Sequence, residues 1–209
     1  DRTVLTTDGA RWPYDACVYA LGARCFVPPV PGAQLAGVFS IRTLDDMAAL
    51  RRRLAQTRQA VVIGGGVIGL EAALELQKAG CAVTVLELAP TLMGRQLANV
   101  SARLLKEALE GRDIAVHTGV QIERLAGQDA VTAVCLADGT ILPAGLVVFS
   151  CGVRANSQIG RAAGAEAGRA GLMVDDAMHT SLPNLYACGD CAAFKGQNPA
   201  LWTIATQQG

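Results

Sequence analysis

The chain has 209 residues, a formal net charge of zero, 51% hydrophobic residues and only 4% aromatic residues. This length suits one large domain or two small ones, and the apolar fraction is enough for a sizeable core. The balanced charge and the scarcity of aromatic residues give no reason to expect nucleic acid or an anionic membrane as a partner. The longest apolar run, residues 60–70, is too short and too rich in glycine to span a bilayer.

The first quarter of the chain predicts short strands followed by a helix. Residues 4–12 contain Asp8-Gly9 between apolar positions, which predicts a hairpin turn. Residues 14–20 read as an apolar strand. The proline-rich residues 28–32 predict a stiff linker and a domain boundary. Residues 44–54 predict a helix, because acids lie at its start and three arginines lie near its end, where they suit the helix dipole.

Residues 59–71 form the most informative segment, a buried strand followed by a glycine turn and the start of a helix. Gly64, Gly66 and Gly69 have the G-x-G-x-x-G spacing, and residues 82–86 form a second apolar strand that ends at Glu87. Strand, glycines, helix, second strand and terminal acid occur in the order of a dinucleotide-binding βαβ unit. The alternative, a glycine-rich turn that binds nothing, does not explain why three glycines with high conformational entropy lie so close together.

Each part of this unit has a physical role. Gly64 permits the tight turn, Gly66 lets a pyrophosphate approach the backbone, and Gly69 lets the helix pack closely on the strand. The helix N-terminus offers unpaired N–H groups and a positive dipole end to phosphate. Glu87 can accept hydrogen bonds from ribose hydroxyls and repels a 2′-phosphate, so the sequence favours NAD(H) over NADP. The alternative for Glu87 is a solvated strand end.

The next part of the chain predicts one helix and four strands. The helix covers residues 96–110 and is expected to turn one apolar face to the core, formed by Leu97, Val100, Leu104, Leu105 and Ala108. The strands are residues 114–116, 121–125, 131–136 and 146–150. The third and fourth strands are expected to be joined by a hairpin at Asp138-Gly139.

Seven cysteines without a framework spacing favour free thiols in a reducing cytoplasm. Cys188 and Cys191 have the C-x-x-C spacing of a redox dithiol. No metal site is expected, because there is no second cysteine pair and neither His117 nor His179 helps to build one.

Four segments together resemble the FAD- and NAD(P)H-dependent pyridine nucleotide–disulfide oxidoreductases, and within them the rubredoxin reductase, nitrite reductase flavin-domain and NADH oxidase branch. Residues 14–23 resemble the Tyr-Asp…Ala-Thr-Gly crossover of that family, with Leu21 in place of the usual threonine. Residues 64–71 resemble its second nucleotide fingerprint. Residues 151–156 resemble its Gly-x-x-Pro-Asn return, with Ala155 in place of proline, and residues 181–190 resemble its C-terminal FAD motif.

The resemblance implies an α/β fold, a Rossmann-type three-layer NAD(P)-binding domain with parts of a second, incomplete FAD-binding lobe. The expected divisions are residues 1–32, 33–154 and 155–209, in a chain that lacks the first FAD fingerprint and the interface domain of the family. Glu71 is expected near the nicotinamide carboxamide, although an exposed helical glutamate is the alternative. The expected cofactor-binding residues are Gly64, Gly65, Gly66, Val67, Ile68, Gly69, Glu71, Glu87, Gly152, Gly189 and Asp190.

Three functions remain open from the sequence. The first is a flavoprotein in which NADH gives hydride to FAD and electrons pass to a redox partner such as rubredoxin or a nitrite reductase centre, with no side-chain acid or base required. The second is a non-catalytic NAD-binding module, such as a redox sensor or an assembly subunit. The third is a disulfide reductase that uses Cys188 and Cys191.

Overall fold

The computed structural model describes residues 2–209, which divide into two compact units. The larger unit is residues 25–152, and the smaller unit combines residues 2–24 with residues 153–209. The strands, in chain order, are β1 (Thr3–Leu5), β2 (Arg11–Pro13), β3 (Cys17–Tyr19), β4 (Ala23–Cys25), β5 (Val38–Ser40), β6 (Gln59–Ile63), β7 (Ala82–Glu87), β8 (Ile114–Thr118), β9 (Ile122–Gly127), β10 (Val131–Leu136), β11 (Ile141–Pro143), β12 (Leu146–Phe149), β13 (Val153–Ala155), β14 (Leu172–Val174), β15 (Leu185–Ala187) and β16 (Ala192–Phe194). The helices are α1 (Leu44–Leu54), α2 (Val67–Lys78), α3 (Asn99–Glu110), α4 (Gln158–Ala162) and α5 (Trp202–Gln208), with a 3₁₀ turn at Gly189–Cys191.

The larger unit is built on a five-stranded parallel sheet in the order β5-β12-β6-β7-β8. Its central strands are apolar on both faces, as expected for a parallel sheet that is covered on both sides. Successive side chains of a strand point to opposite faces. Val62 of β6 therefore packs in one apolar cluster with residues of α2 and α3, whereas Val61 and Ile63 pack in a second cluster with residues of β9 and β10.

The second cluster is covered by a small antiparallel sheet in the order β11-β10-β9. The three layers are thus helices, parallel sheet and β-meander, and the expected α/β three-layer fold is confirmed. The expected hairpin between the third and fourth strands is wrong. The Asp138-Gly139 turn joins β10 to β11, and the chain then enters β12, which pairs in parallel with β5 and β6. The short strand β11, which ends at Pro143, was not expected.

Helix α1 has the predicted bounds, and its start is fixed by a capping box. The backbone N–H of Asp46 donates to Thr43 Oγ1 (3.2 Å), and the backbone N–H of Thr43 donates to Asp46 Oδ2 (2.8 Å). These bonds satisfy two donors that would otherwise lack a partner. They also hold the pKa of Asp46 below its usual range, because hydrogen bonds from backbone N–H groups stabilise the carboxylate.

Helix α3 differs from the prediction in its start and in its buried face. It begins at Asn99, three residues later than predicted, and its buried residues are Ala102 and Leu109, with Leu105 packed against the same core. Val100 and Leu104 are instead 63% and 55% exposed. Within α3, only Leu105 of the predicted apolar face packs against the core, and the rest of that face is wrong, because the buried positions are Ala102 and Leu109.

The smaller unit is organised around short two-stranded sheets. β1 and β2 form the predicted antiparallel hairpin, and β15 pairs with β3, β16 with β14, and β13 with β4. Its core is an apolar cluster that includes Tyr19, Leu172, Leu185 and Cys191. No helix in the described part of the chain has the length and apolarity needed to cross a bilayer.

Two leucine substitutions in α3 test its observed orientation. Leu109 is 3% exposed, and Leu109→Ala is expected to lower the free energy of unfolding by about 2–5 kcal/mol through lost burial and a cavity. Leu104→Ala removes the same atoms from a side chain that is 55% exposed, and should cost less than about 0.5 kcal/mol. Urea unfolding followed by circular dichroism measures both values. Equal losses in the two variants would contradict the observed orientation.

Candidate functional site

The predicted glycine turn lies between the end of β6 and the start of α2, at the carboxyl edge of the parallel sheet. Gly64 has a φ of +117°, and its N–H donates to the carbonyl of Leu86 on β7 (2.8 Å). A Cβ at Gly64 would lie 2.2 Å from the carbonyl oxygen of Ser150. Both the backbone angle and the contact therefore require glycine at this position.

Gly69 allows the first turn of α2 to touch the preceding loop. A Cβ at this position would lie 2.1 Å from the carbonyl oxygen of Gly64 and 3.2 Å from the Ser150 Cβ. Gly64, Gly69 and Ser150 thus form one close contact, in which helix α2 meets the turn and the segment that follows β12. This is the packing role that the sequence predicted for Gly69.

The N-terminus of α2 is open. Gly66 is the N-cap residue, no side chain caps the helix, and a Cβ at Gly66 would meet no atom within 4 Å. The next two side chains, Val67 and Ile68, are 49% and 58% exposed. A helix of twelve residues therefore presents the N–H groups of its first turn at a surface with room for an anion.

Glu87 lies at the end of β7 and is bonded to the glycine turn. Its Oε2 accepts a hydrogen bond from the N–H of Gly65 (2.6 Å), and its Oε1 accepts one from the N–H of Ala89 (2.7 Å). A carboxylate has about four acceptor positions. Glu87 is thus held in a fixed orientation beside the turn and keeps the capacity to accept further hydrogen bonds.

The segment after β12 also reaches the turn. The Cys151 thiol donates to the carbonyl of Ile63 (3.5 Å), and burial, followed by the charge of Glu87, raises the pKa of this thiol to about 11. Gly152 has a φ of +87° and is exposed. Glu71 is an exposed residue of α2, two residues beyond Gly69.

In the smaller unit, Asn156 makes four hydrogen bonds, three with the crossover segment and one with Arg24, which follows that segment. Its backbone N–H donates to the carbonyl of Gly22 (2.9 Å), and its side-chain amide donates to the carbonyl of Leu21 (2.9 Å). Its backbone carbonyl accepts from the Tyr19 hydroxyl (2.7 Å), and its Oδ1 accepts from Arg24 (3.2 Å). The return segment, residues 151–156 in the sequence analysis, is therefore tied through Asn156 to the crossover, residues 14–23.

Gly189 and Asp190 lie in the 3₁₀ turn after β15. Gly189 has a φ of +72°, and its N–H donates to Gln208 Oε1 on α5 (2.8 Å). The carbonyl of Asp190 accepts from the side-chain amide of Asn198 (2.8 Å). The residues predicted from sequence are thus divided: Gly64 to Glu87 and Gly152 are in the larger unit, and Gly189 and Asp190 are in the smaller one.

The Cys188 and Cys191 pair has the environment of a structural turn. Both are free thiols, and Cys191 is fully buried. Its Sγ lies 3.2 Å from the carbonyl of Tyr19 and 3.1 Å from that of Cys188, and burial raises the pKa of this thiol. A buried thiol with a raised pKa is a poor nucleophile, which argues against a redox dithiol.

Residues from neighbouring segments, which were not predicted from the sequence, support the glycine turn. Ser150 lies against Gly64 and Gly69, Leu92 closes one side of Gly65, and the N–H of Met93 donates to the carbonyl of Gly65 (3.0 Å). Leu92 and Met93 have no sequence signal of their own, because they act through tertiary contact. A weak indication was available for Ser150, which ends the apolar strand beside β6.

Paired glycine substitutions test the geometry of the turn. Gly69→Ala places a Cβ against the Gly64 carbonyl, so we expect a loss of about 1–3 kcal/mol in the free energy of unfolding. Gly66→Ala meets open space at a φ of −87°, so we expect less than about 1 kcal/mol, from a poorer N-cap. Chemical unfolding of both variants is the measurement, and a Gly66→Ala variant as unstable as Gly69→Ala would contradict this geometry.

Comparison with known proteins agrees with this arrangement. The family described as pyridine nucleotide-disulphide oxidoreductase matches residues 1–209. An NAD(P)H nitrite reductase of Bacillus subtilis is 39% identical over 94% of this chain and 24% of its own length. A nitric oxide reductase FlRd-NAD(+) reductase of Vibrio vulnificus is 35% identical over 92% of this chain and 50% of its own length.

Among solved structures, a ferredoxin reductase from Rhodopseudomonas palustris superposes with a TM-score of 0.88 at 40% identity, covering 92% of this chain and 48% of that one. The chain therefore spans half or less of the length of these three relatives. The family match over residues 1–209 confirms the resemblance found in the sequence, and the chain belongs to the pyridine nucleotide-disulphide oxidoreductase family.

Proposed function

We propose that this chain binds NADH at the Gly64–Gly69 turn and forms the NADH-binding part of a FAD-dependent oxidoreductase that passes electrons to an iron redox protein. The observation that carries the proposal is the open N-terminus of α2 at Gly66, next to a Glu87 carboxylate fixed by two backbone N–H groups. The first feature suits a pyrophosphate and the second suits a ribose, in the order that a dinucleotide requires.

The glycine turn fits a pyrophosphate on steric grounds. Gly66 has no side chain, and a Cβ added to it would meet no atom within 4 Å. Phosphate oxygens can therefore approach the backbone at this position. Val67 and Ile68, whose N–H groups follow in the first turn, are exposed. The helix dipole adds a favourable interaction with a negative charge at this end, of about 0.3–1 kcal/mol when exposed.

Glu87 favours NADH over NADPH for two reasons. Its carboxylate can accept hydrogen bonds from ribose hydroxyls, and it repels the 2′-phosphate of NADPH. The residue after it, Leu88, is 72% exposed and carries no charge that could offset this repulsion. The Vibrio vulnificus relative is named as an NAD(+) reductase, which is consistent with this preference.

FAD, when bound, would accept hydride from NADH and release electrons one at a time. The residues that we assign to its binding are Gly189 and Asp190, and we place Glu71 and Gly152 near the nicotinamide. Asp190 is partly buried and follows a glycine with positive φ, which leaves its carboxylate on a tight turn. The protein supplies orientation and electrostatics, so no general acid or base is assigned.

We infer the class of acceptor from the relatives. One is named a ferredoxin reductase, one an FlRd-NAD(+) reductase and one a nitrite reductase. Two of these names, the ferredoxin reductase and the FlRd-NAD(+) reductase, name a redox-protein acceptor, and they support an iron redox protein or an iron-containing partner domain as the acceptor class of this chain. The seven free cysteines support a reducing compartment such as the cytoplasm.

Absorption spectra of the chain, taken before and after addition of NADH without oxygen, test the function. The resemblance implies that the isolated chain holds NADH far better than FAD, so we expect the flavin spectrum that NADH bleaches, and reoxidation by an added ferredoxin, from the full-length gene product. Gly66→Ala should keep the fold, because its Cβ meets no protein atom. It should lose most of the bleaching at low NADH concentration, because that Cβ would occupy the space proposed for the pyrophosphate. A full-length gene product that binds NADH but shows no turnover would support the non-catalytic module instead.

The disulfide reductase is tested in the same assay. The variant with both Cys188→Ser and Cys191→Ala is expected to transfer electrons as the unmodified chain does, and alanine suits the buried position of Cys191. Loss of transfer to a disulfide substrate in this variant, with NADH binding retained, would restore the dithiol hypothesis.

Glu87→Arg is expected to weaken NADH binding by about tenfold or more, since a hydrogen bond to a charged group contributes about 1.5–3 kcal/mol. Quenching of NADH fluorescence measures the dissociation constant. Glu123→Arg makes the same charge change at an exposed position of β9 and should leave it within about twofold. An unchanged NADH affinity in Glu87→Arg would remove Glu87 from the site.

A further inference from the structure

A cleft in the smaller unit is lined by four arginines, Arg24, Arg154, Arg161 and Arg169. Its volume is about 420 Å³, within the range of small-molecule sites. The remaining lining residues are neutral, and the polar ones are Ser157 and Gln158. No acidic residue is among the described residues that line this cleft, so in a chain with no net charge its four arginines bring several positive charges together.

The fold brings these arginines together from separate segments. Arg24 is on β4 and Arg154 on β13, which pair with each other, while Arg161 is on α4 and Arg169 precedes β14. The hydrogen bonds of Arg24 and Arg161 go to neutral acceptors: Arg24 donates to Asn156 Oδ1 (3.2 Å) and Arg161 to the carbonyl of Gly168 (3.4 Å). These contacts orient the two guanidinium groups. Neither acceptor carries a negative charge, so the contacts do not neutralise the positive charge of Arg24 or Arg161.

A second cleft of about 370 Å³ adjoins the first and shares Arg154 and Arg169 with it. Small residues, including Ala155 and Gly168, line both clefts and leave the space between the arginines open. The second cleft adds no arginine of its own, so a ligand that carries two negative groups would contact Arg24 and Arg161 in the first cleft and the shared Arg154 and Arg169 at the wall. The rigid fork of a guanidinium matches the oxygens of phosphate with two parallel hydrogen bonds.

We propose that this arginine cleft binds a small phosphorylated metabolite that carries a pyrophosphate or two phosphate groups. The site is separate from the Gly64–Gly69 turn, which belongs to the other unit. Like charges placed around one cleft repel each other, and a bound polyanion reduces this repulsion. The proposal does not depend on NADH being the ligand of the glycine turn.

Titration calorimetry of the 209-residue chain with inorganic pyrophosphate, at low ionic strength, tests the proposal. Arg161→Ala and Arg169→Ala should each weaken binding about tenfold, and Arg161→Lys should lose part of that affinity, since lysine keeps the charge but not the fork. Arg51→Ala removes an equal charge from the exposed side of α1 and should change the affinity less than twofold. Thermal unfolding checks that each variant is folded.

Three results would overturn the proposal. Equal losses in Arg51→Ala and in the cleft variants would mean non-specific attraction to positive charge. Binding that survives Arg161→Ala and Arg169→Ala and is displaced by NADH would belong to the glycine turn. Binding of poly-glutamate without binding of pyrophosphate would make the cleft a docking surface for an acidic polypeptide.

Discussion

The close contact between the start of α2 and the turn before it is the constraint on which the larger unit depends. A Cβ at Gly69 would lie 2.1 Å from the Gly64 carbonyl oxygen, and a Cβ at Gly64 would lie 2.2 Å from that of Ser150. Because all three segments meet at backbone distance, helix α2 can lay Leu70, Ala73 and Leu76 into the core beside β6 and β7. The same contact fixes the position of the open N–H groups at the N-terminus of α2. The packing of the helix and the geometry of the candidate site therefore both depend on it.

Glu87 connects this contact to the next strand. Its two oxygens accept from Gly65 and Ala89, so the carboxylate is oriented by backbone rather than by another side chain. The hydrogen bonds need the turn and the end of β7 to be in register, which the parallel pairing of Ile63 with Leu86 provides. A side chain fixed in this way loses little conformational entropy when it accepts a ligand hydroxyl, which suits a residue that discriminates between related ligands.

Local patterns predicted much of the fold. The bounds of α1 follow from its cap and charges, and β10 follows from an apolar run before Asp138-Gly139. Helix α3 shows the limit of this reasoning. The N–H groups of Gln96 and Leu97 donate to the carbonyl of Met93, so residues that suit a helix form a turn instead.

That turn is tied to the glycine loop, because the N–H of Met93 donates to the carbonyl of Gly65. A contact between residues so far apart in sequence delays the start of α3, and no periodicity reveals it. The same holds for the candidate site. The glycines and Glu87 can be identified from their spacing, whereas the supporting contacts of Ser150 and Leu92 depend on which strands become neighbours in the sheet.

In the smaller unit, a tight backbone segment is also held by hydrogen bonds from residues distant in sequence. Its crossover at Leu21 and Gly22 departs from the family pattern where a threonine is usual, and Asn156 binds both residues through its backbone and side-chain amides. Cys191 adds a contact from its buried thiol to the carbonyl of Tyr19 on β3, just before Leu21 and Gly22. Both residues satisfy backbone carbonyls that water would otherwise have to reach. The C-x-x-C spacing, which suggests redox chemistry in the sequence, is therefore explained by the turn: Cys191 packs inward against the crossover, and Gly189 supplies the positive φ that the turn requires.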